Sequence, residues 1–341
     1  MRKVKVGIIG VGIQGSLHAW IYSTLPNVEL VAVCDIVEER AREVAKKYGA
    51  KEYYTDYNEM LRKADIEAVS ITVPDHLHKT PAIAAIEAGK HVLIEKPLAT
   101  NSKDAKEIVD TAKKCGVKLM VNFANRWSPP FIHAKRSIES GELGDIECIY
   151  ARLSDTIYVP TKMLKWASNT NVMWFLGSHI IDLARWLMNR PNVRRIYGIE
   201  KYGILKKMGI NTPDVIVGLI EWENNVISYF ECCWILPETQ PSIFDLKFQI
   251  IGSKGSIHID TSHNRCIQKY TEKEATYPDV LVAYDSYGKP LGFVRESISH
   301  FIECIIEDKE PMATGEDGLI VTQIIEKILE SSRKGEPLTL G

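Results

Sequence analysis

The sequence predicts an α/β protein in two parts: a doubly wound parallel sheet over residues 1–122 and an α+β half over residues 123–341. Three observations carry this. The first third alternates short β-branched runs with amphipathic stretches of helical length, the pattern of βαβ units around a parallel sheet. Beyond residue 122 strand-like runs follow one another with few helices between, which implies an antiparallel or mixed sheet. The length, 341 residues at 45% hydrophobic and 25% charged, is too great for one compact core and suits two globular domains.

In chain order, strands are predicted at residues 4–9, 29–34, 68–72, 91–94 and 118–121. Between them, residues 16–23, 38–47, 57–62, 80–88 and 102–114 carry apolar side chains at spacings of three and four, which suits crossover helices. Gly49, Gly89 and Gly116 follow three of these where a left-handed C-cap is wanted. In the second half, 146–158, 193–199, 215–223, 226–234, 245–251 and 256–260 read as strands, with Asn224-Asn225 as a hairpin signal. Two or three long helices interrupt them, including 176–188 and 318–333.

Lys and Arg total 42 against 44 Asp and Glu, a formal charge of −2, so no basic excess is available for a phosphate backbone and no nucleic-acid partner is expected. The seven cysteines are scattered singly apart from Cys232-Cys233 and form no C-x2-C pair, which reads as neither a disulfide framework nor a zinc knuckle. The opening MRKVKVGIIGVG has the basic start of a signal peptide. Its apolar run is short, broken by glycine and without a small-residue cleavage site, so it reads as the first strand. No run reaches the roughly 18 apolar residues of a transmembrane helix. The best stretch, 172–181, holds Gly177, Ser178 and His179. The expected setting is the reducing cytoplasm, away from membranes.

Gly10-Val11-Gly12-Ile13-Gln14-Gly15 is a G-x-G-x-x-G placed after the first strand and before the first helix. One glycine serves the tight turn, one lets the backbone approach a pyrophosphate, and one allows close packing of helix on strand. The helix N-terminus offers N–H groups and a partial positive charge, so Gly10, Gly12, Ile13, Gln14 and Gly15 are expected to hold a dinucleotide. An ordinary glycine-rich turn is the plainer alternative. Asp35 argues against it, lying twenty residues beyond Gly15 at the end of the second strand. A carboxylate there accepts hydrogen bonds from ribose hydroxyls and repels a 2′-phosphate. Ile36, Val37 and Glu38 follow rather than Arg or Ser, so NAD is expected over NADP. Arg40 is the reservation, a cation able to flank the adenine or reach a phosphate.

Glu95-Lys96-Pro97 follows the fourth strand, and Thr72-Val73-Pro74-Asp75-His76-Leu77-His78 the third. With the glycine motif, and with SIESGELGDI at 137–146, GSHIIDLARWL at 177–187, IIGSKGSI at 250–257 and the tail from 301 to 338, these resemble the Gfo/Idh/MocA family over nearly the whole chain. The family takes its name from glucose-fructose oxidoreductase, inositol dehydrogenase and rhizopine catabolism. The resemblance implies an N-terminal Rossmann domain and a C-terminal domain on a large, open, mainly antiparallel sheet. It also implies homodimers or homotetramers joined through that sheet.

Open α/β sheets bind ligands beyond the carboxyl ends of their strands, so Thr72, Pro74, His76, His78, Glu95 and Lys96 are expected on the nicotinamide side of the cofactor. A lysine at position 96 can hydrogen-bond a substrate hydroxyl and stabilise developing alkoxide. By composition alone, Lys96 reads as a surface lysine paired with Glu95. The resemblance reverses that, since family members use this lysine in catalysis.

His179 is the second catalytic candidate. A lone histidine at the head of an apolar helix is more often a packed core residue. The family, however, carries a D-x-x-x-H element with the histidine as general base, and aligning His179 with it puts Phe175 where the aspartate stands. Phenylalanine cannot orient an imidazole, take a proton or bind a hydroxyl. Either another group holds His179, with Asp182 and Asn171 the candidates, or its proton leaves directly to solvent. Two further readings are a substrate with a less polar edge at Phe175, and reduced or lost activity. Retained chemistry is the expectation, because Lys96, His179 and the cofactor motifs all stand.

Residues 121–127, VNFANRW, resemble a family segment V-G-F-N/Q-R-R-F, with Ala124 in place of an amide that meets the nicotinamide. Asn122 or Asn125 is the candidate substitute, and Asn125 is carried as a cofactor residue. Arg126 and Trp127 are substrate candidates, a fork for a carboxylate or hydroxyls and a flat face for a sugar ring, or else a packing pair at the domain junction. Trp166, Asn169, Asn171 and Trp174 form a stretch suited to a polyol, or equally a core with a polar turn. His76 and His78 suit cofactor contacts better than zinc, and no metal site is expected. Cys232 and Cys233 read as structural.

The expected function is an NAD-dependent oxidoreductase moving a hydride between nicotinamide and a secondary alcohol or ketone of a sugar, sugar acid or inositol-like polyol. Lys96 and His179 bind the reacting hydroxyl and His179 takes its proton. Two other classes stay open, an NAD-assisted glycosidase of the same fold and a non-catalytic NAD-sensing protein.

Overall fold

The computed structural model describes residues 2–262 and 267–340. The chain forms two compact units, Met1–Ala124 with Ala283–Ile320, and Asn125–Val282 with Val321–Gly341.

In the first unit, β1 (Val4–Ile9), β2 (Val28–Cys34), β3 (Glu52–Tyr54), β4 (Ala68–Ile71), β5 (His91–Ile94) and β6 (Leu119–Val121) form one sheet in the order β3-β2-β1-β4-β5-β6. Every pair is parallel. The helices α1 (Ile13–Thr24), α2 (Glu38–Tyr48), α3 (Tyr57–Lys63), α4 (Lys79–Glu87) and α5 (Ser102–Cys115) make the crossovers. Covered on both faces, the central strands read as mostly apolar runs rather than alternating ones. Local chemistry sets the helix ends. Glu38 and Glu39 open α2 and Lys46 and Lys47 close it, matching the helix dipole, while Asn101 accepts a hydrogen bond from the Asp104 N–H to start α5. Both helices end on a left-handed glycine, Gly49 and Gly116. Strand order reverses at the β1/β4 boundary, the place where such sheets bind ligands.

The second unit is built on β7 (Ile146–Asp155), β8 (Val193–Lys201), β9 (Val215–Trp222), β10 (Ile227–Cys233), β11 (Phe244–Gly252) and β12 (Ser256–Asp260), in the order β12-β11-β7-β10-β9-β8. All pairs are antiparallel except β7 with β10. Side chains alternate: Ile216, Ile220 and Trp222 of β9 are buried on one face, whereas Leu219 points outward. The helices α6 (Pro129–Glu139) and α7 (Ser178–Leu187) lie on the buried side. The Lys135 ammonium donates to the last carbonyls of α7, those of Trp186 and Leu187. The single turn α8 (Ile204–Lys207) starts on Asp214, which accepts from the N–H groups of Ile204 and Leu205. The opposite face of the sheet is open and partly apolar, with Ile199, Leu219, Ile227 and Ile251 exposed.

Beyond two small hairpins (Lys269–Tyr270 with Ala275–Thr276, Tyr284–Ser286 with Lys289–Leu291) come α9 (Phe293–Glu307) and α10 (Gly315–Lys334). Residues 283–320 group with the first unit, whereas the division expected from the sequence is 1–122 and 123–341. The apolar face of α9 packs on β1 and β5, and Ser297 donates to the Asn122 side chain at 2.7 Å. Among the described residues, no helix is long and apolar enough to cross a membrane.

Candidate active site

The chain leaves β1 through Gly10, whose φ of +86° strains any residue with a side chain. Its N–H donates to the Cys34 carbonyl and its own carbonyl accepts from Thr72 Oγ1, so the turn is tied to β2 and to the loop after β4. A Cβ on Gly15 would collide with the Gly10 carbonyl, so this glycine brings helix against turn. A Cβ on Gly12 would meet nothing within 4 Å. Gly12 is also the N-cap of α1, with no side chain capping the first-turn N–H groups, and Ile13 and Gln14 beside it are exposed. An open backbone at a helix N-terminus is what a pyrophosphate requires, so these residues fit a dinucleotide. Gly15 and Gly12 thus predict different failures. Gly15→Ala costs about 1–3 kcal/mol of stability through overpacking. Gly12→Ala keeps the parent unfolding midpoint but weakens NAD binding about tenfold or more, as read by thermal unfolding and NAD titration.

Asp35 is buried beside this turn and accepts from the Val11 and Val37 N–H groups, both at 2.9 Å. Arg40 Nη1 stands 3.2 Å from each of its carboxylate oxygens. Arg40 is therefore paired with the carboxylate rather than reaching past it.

The loop after β4 and the turn after β5 are stapled together. His78, 1% exposed, sets Nδ1 2.7 Å from the Pro97 carbonyl and Nε2 3.0 Å from the Val73 carbonyl. Burial holds its pKa below the ordinary histidine value. His78, expected on the cofactor side, sets its ring between these two carbonyls. Glu95 is buried and faces His18 and Asn122, at 3.0 and 2.6 Å. Burial by itself would raise its pKa, but the hydrogen bonds from His18 and Asn122 and the charge of Lys96 more than offset this and hold it at about 2. Lys96 is half-buried, and the Lys96-Pro97 peptide is cis. Thr72, Pro74 and His76 are half-buried, and His76 Nδ1 lies 3.5 Å from Asp75 Oδ1. Among the described residues, no group of three or more His, Cys, Asp and Glu could hold a metal ion.

In the second unit, a wide turn, Met173–Gly177, runs into α7. Asn171, Phe175 and His179 are half-buried while the residues separating them are buried, so one stripe carries all three. Asn171 Oδ1 accepts from the Met173 and Trp174 N–H groups at 3.0 Å, starting the turn. Asp182 is bound by Arg126, whose Nε and Nη2 lie 2.9 and 2.5 Å from its two oxygens. Asn125 meets the histidine, its side-chain nitrogen 3.3 Å from Nδ1. Arg126, expected as a substrate fork, is 2% exposed and its guanidinium binds Asp182. Trp127 is half-buried in the turn Ala124–Trp127, Trp174 is buried and Asn169 exposed.

Phe175 packs against two tryptophans, with ring centroids 6.1 Å from Trp166 and 5.8 Å from Trp234. Trp234 went unnoticed in the sequence because a tryptophan ending an apolar strand reads as core, and it is fully buried. His18 was also missed, although it follows Gly15 by one helical turn.

Residues 4–123 match an oxidoreductase family described by its NAD-binding Rossmann fold, and residues 135–340 match the C-terminal alpha/beta domain of that family. Among curated relatives, D-glucoside 3-dehydrogenase of Escherichia coli is 28% identical, the alignment covering 99% of this chain and 97% of the relative. The scyllo-inositol 2-dehydrogenase (NAD(+)) of Bacillus subtilis is 27% identical with the same coverage, 99% and 97%. Among solved structures, scyllo-inositol dehydrogenase from Lactobacillus casei with bound cofactor NAD(H) and scyllo-inositol superposes with a TM-score of 0.85 at 22% identity, covering 99% of each chain. GenD2 from gentamicin A biosynthesis, in complex with NAD, gives 0.88 at 21% identity, covering 99% of this chain and 96% of the other. At these identities the solved structures establish the fold.

Proposed function

Because the chain belongs to the Gfo/Idh/MocA oxidoreductase family, we propose that it is an NAD-dependent dehydrogenase or reductase of a sugar, sugar acid or inositol-like polyol, with Lys96 and His179 as catalytic residues. The observation that carries this reading is the placement of three features at the carboxyl ends of one parallel sheet: the open Gly12 backbone after β1, Asp35 after β2 and Lys96 after β5. The relatives that bear names as dehydrogenases of inositols and glucosides support the substrate class.

Gly10, Gly12, Ile13, Gln14, Gly15 and Asp35 would hold the dinucleotide, with Thr72, Pro74 and His76 the candidates beyond them. When bound, NAD accepts a hydride from the carbinol carbon. The Lys96 ammonium donates to the hydroxyl oxygen and stabilises negative charge on it. His179 Nε2 takes the hydroxyl proton, which requires the neutral ring to carry its own proton on Nδ1. With the Asn125 nitrogen 3.3 Å from Nδ1, that tautomer requires a half-turn of the amide to bring its oxygen there. Phe175 and Trp166 offer an aromatic face to the C–H side of a ring, so favoured substrates present one less polar edge. The open apolar face of the second sheet is the surface for a second copy of the chain, in dimers or tetramers. A reducing cytoplasm suits its free thiols.

Asp35 with Arg40 paired to it favours NAD, since the carboxylate repels a 2′-phosphate and neutralises the nearest arginine. Asp35→Ser is expected to shift the ratio of kcat/KM for NADP over NAD upward by about 10- to 100-fold. Steady-state rates with both cofactors check this. The function itself is tested with purified protein, NAD or NADP, and a panel of inositols, aldoses, glucosides and sugar acids. NADH formation with at least one cyclic polyol or sugar is expected. NAD binding without turnover anywhere on the panel would instead support a sensing protein.

A further inference from the structure

A chain of polar side chains runs through the core of the first unit and ends beside Lys96. His18 on α1 is fully buried. Its Nε2 lies 3.0 Å from Glu95 Oε1 and its Nδ1 lies 3.1 Å from Ser70 Oγ, the one polar residue of β4. Tyr22, one turn further along α1, sets its hydroxyl 2.7 Å from the same Ser70 oxygen. From the other side, Asn122 Nδ2 donates to Glu95 Oε1 at 2.6 Å, and Ser297 of α9 donates to Asn122 Oδ1 at 2.7 Å.

The chemistry of these groups sets a direction. An ionised carboxylate only accepts, so His18 Nε2 carries a proton. Ser70 Oγ bridges the other ring nitrogen, Nδ1, and the Tyr22 hydroxyl. His18 Nε2 and Asn122 Nδ2 therefore both donate to a single oxygen of Glu95. Such a network is costly in a sheet otherwise filled with Val, Ile and Leu, where apolar residues would pack without desolvating a charge. Lys96 follows Glu95 directly, just past the end of β5, so a carboxylate held at 95 limits where the next residue can point.

We propose that His18 is a positioning residue. Acting through Glu95, it fixes the end of β5 and keeps a negative charge beside Lys96, so that the lysine meets substrate in place and as an ammonium. This rests on the reading of Lys96 as the partner of the reacting hydroxyl. The titratable groups around Glu95 are His18 and Tyr22 of α1, His78 before α4, and Lys96. Burial pushes the Tyr22 hydroxyl above its ordinary range and holds His78 neutral, so neither loses a proton as the pH rises through the lysine range.

The test uses the holoenzyme with the substrate found on the panel, and reads kcat, KM and the pH profile. Glu95→Gln is expected to move the alkaline limb of kcat/KM to lower pH, because Lys96 loses its fixed negative neighbour. His18→Ala is expected to do the same and to lower kcat about 10- to 100-fold, with the KM for NAD unchanged. His18→Gln, whose amide still donates to Glu95, restores most of the rate and the parent limb. A merely structural network lowers the unfolding midpoint but leaves the alkaline limb in place, and a parent-like limb in Glu95→Gln overturns the proposal even if His18→Ala fails to fold. Lys96→Ala separates the two failures. If it loses turnover while Glu95→Gln keeps the parent profile, the role of His18 alone falls. If it keeps full turnover, the catalytic reading falls and this inference with it.

Discussion

Replacing Lys96 with alanine is expected to lower kcat/KM about 100- to 1,000-fold, the range for removing one donor aimed at a developing oxyanion. The half-buried lysine stands beyond β5, beside a carboxylate held ionised by His18 and Asn122. Its loss removes charge stabilisation at the reacting oxygen but leaves the Gly12 and Asp35 features untouched. NAD affinity and the unfolding midpoint should therefore stay near those of the parent. Lys96→Arg keeps the charge but replaces a point donor by a planar fork, so it should recover only part of the rate. Steady-state kinetics with NAD titration decide the matter, and a parent-like kcat/KM in Lys96→Ala removes the lysine from catalysis.

His179→Ala should reduce kcat about 100- to 10,000-fold, the usual range for a general base. The pH profile adds a sign. A base must be neutral to accept a proton, so the parent rate falls as pH drops through the histidine pKa, and that acid limb should flatten in the variant. Phe175, packed between Trp166 and Trp234, cannot share the proton as an acid would. Asn125, at 3.3 Å from Nδ1, is one group placed to orient the ring. Asn125→Ala should cost much less than His179→Ala and leave the acid limb present. An unchanged kcat in His179→Ala would make the histidine structural.

Much of the first unit can be read directly from its residues, because strands buried on both faces are apolar runs and the helices end on glycines that need a left-handed backbone. The edge strand β3 is not legible: Glu52–Tyr54 is only three residues long, and Glu52 and Tyr53 are exposed. α6 hides behind Pro129-Pro130, which reads as a breaker although proline suits a first helical turn. The return of α9 to the first unit cannot be read either, since an amphipathic face looks the same whichever sheet covers it. The site divides in the same way. Glycine spacing and the strand-end aspartate are local patterns with mechanical meaning, so the cradle is visible. Which way Glu95 and His78 turn depends on strand parity and on carbonyls brought in by folding. The pairing of Asn125 with His179, 54 residues apart, has no local signature. Arg126 is a related case, because a guanidinium and a carboxylate that find each other in the core look in sequence like two groups available to a ligand.

The most direct test of the proposed chemistry is a single labelling measurement. The protein is incubated with NAD and its substrate deuterated at the reacting carbinol carbon, and the products are analysed for label and stoichiometry. The expected result is one ketone and one NADH per turnover, with the deuterium in the reduced nicotinamide and a rate slowed by the isotope. Cleavage of a glycoside with NAD returned unchanged, or product formed with no label in the nicotinamide, would contradict it.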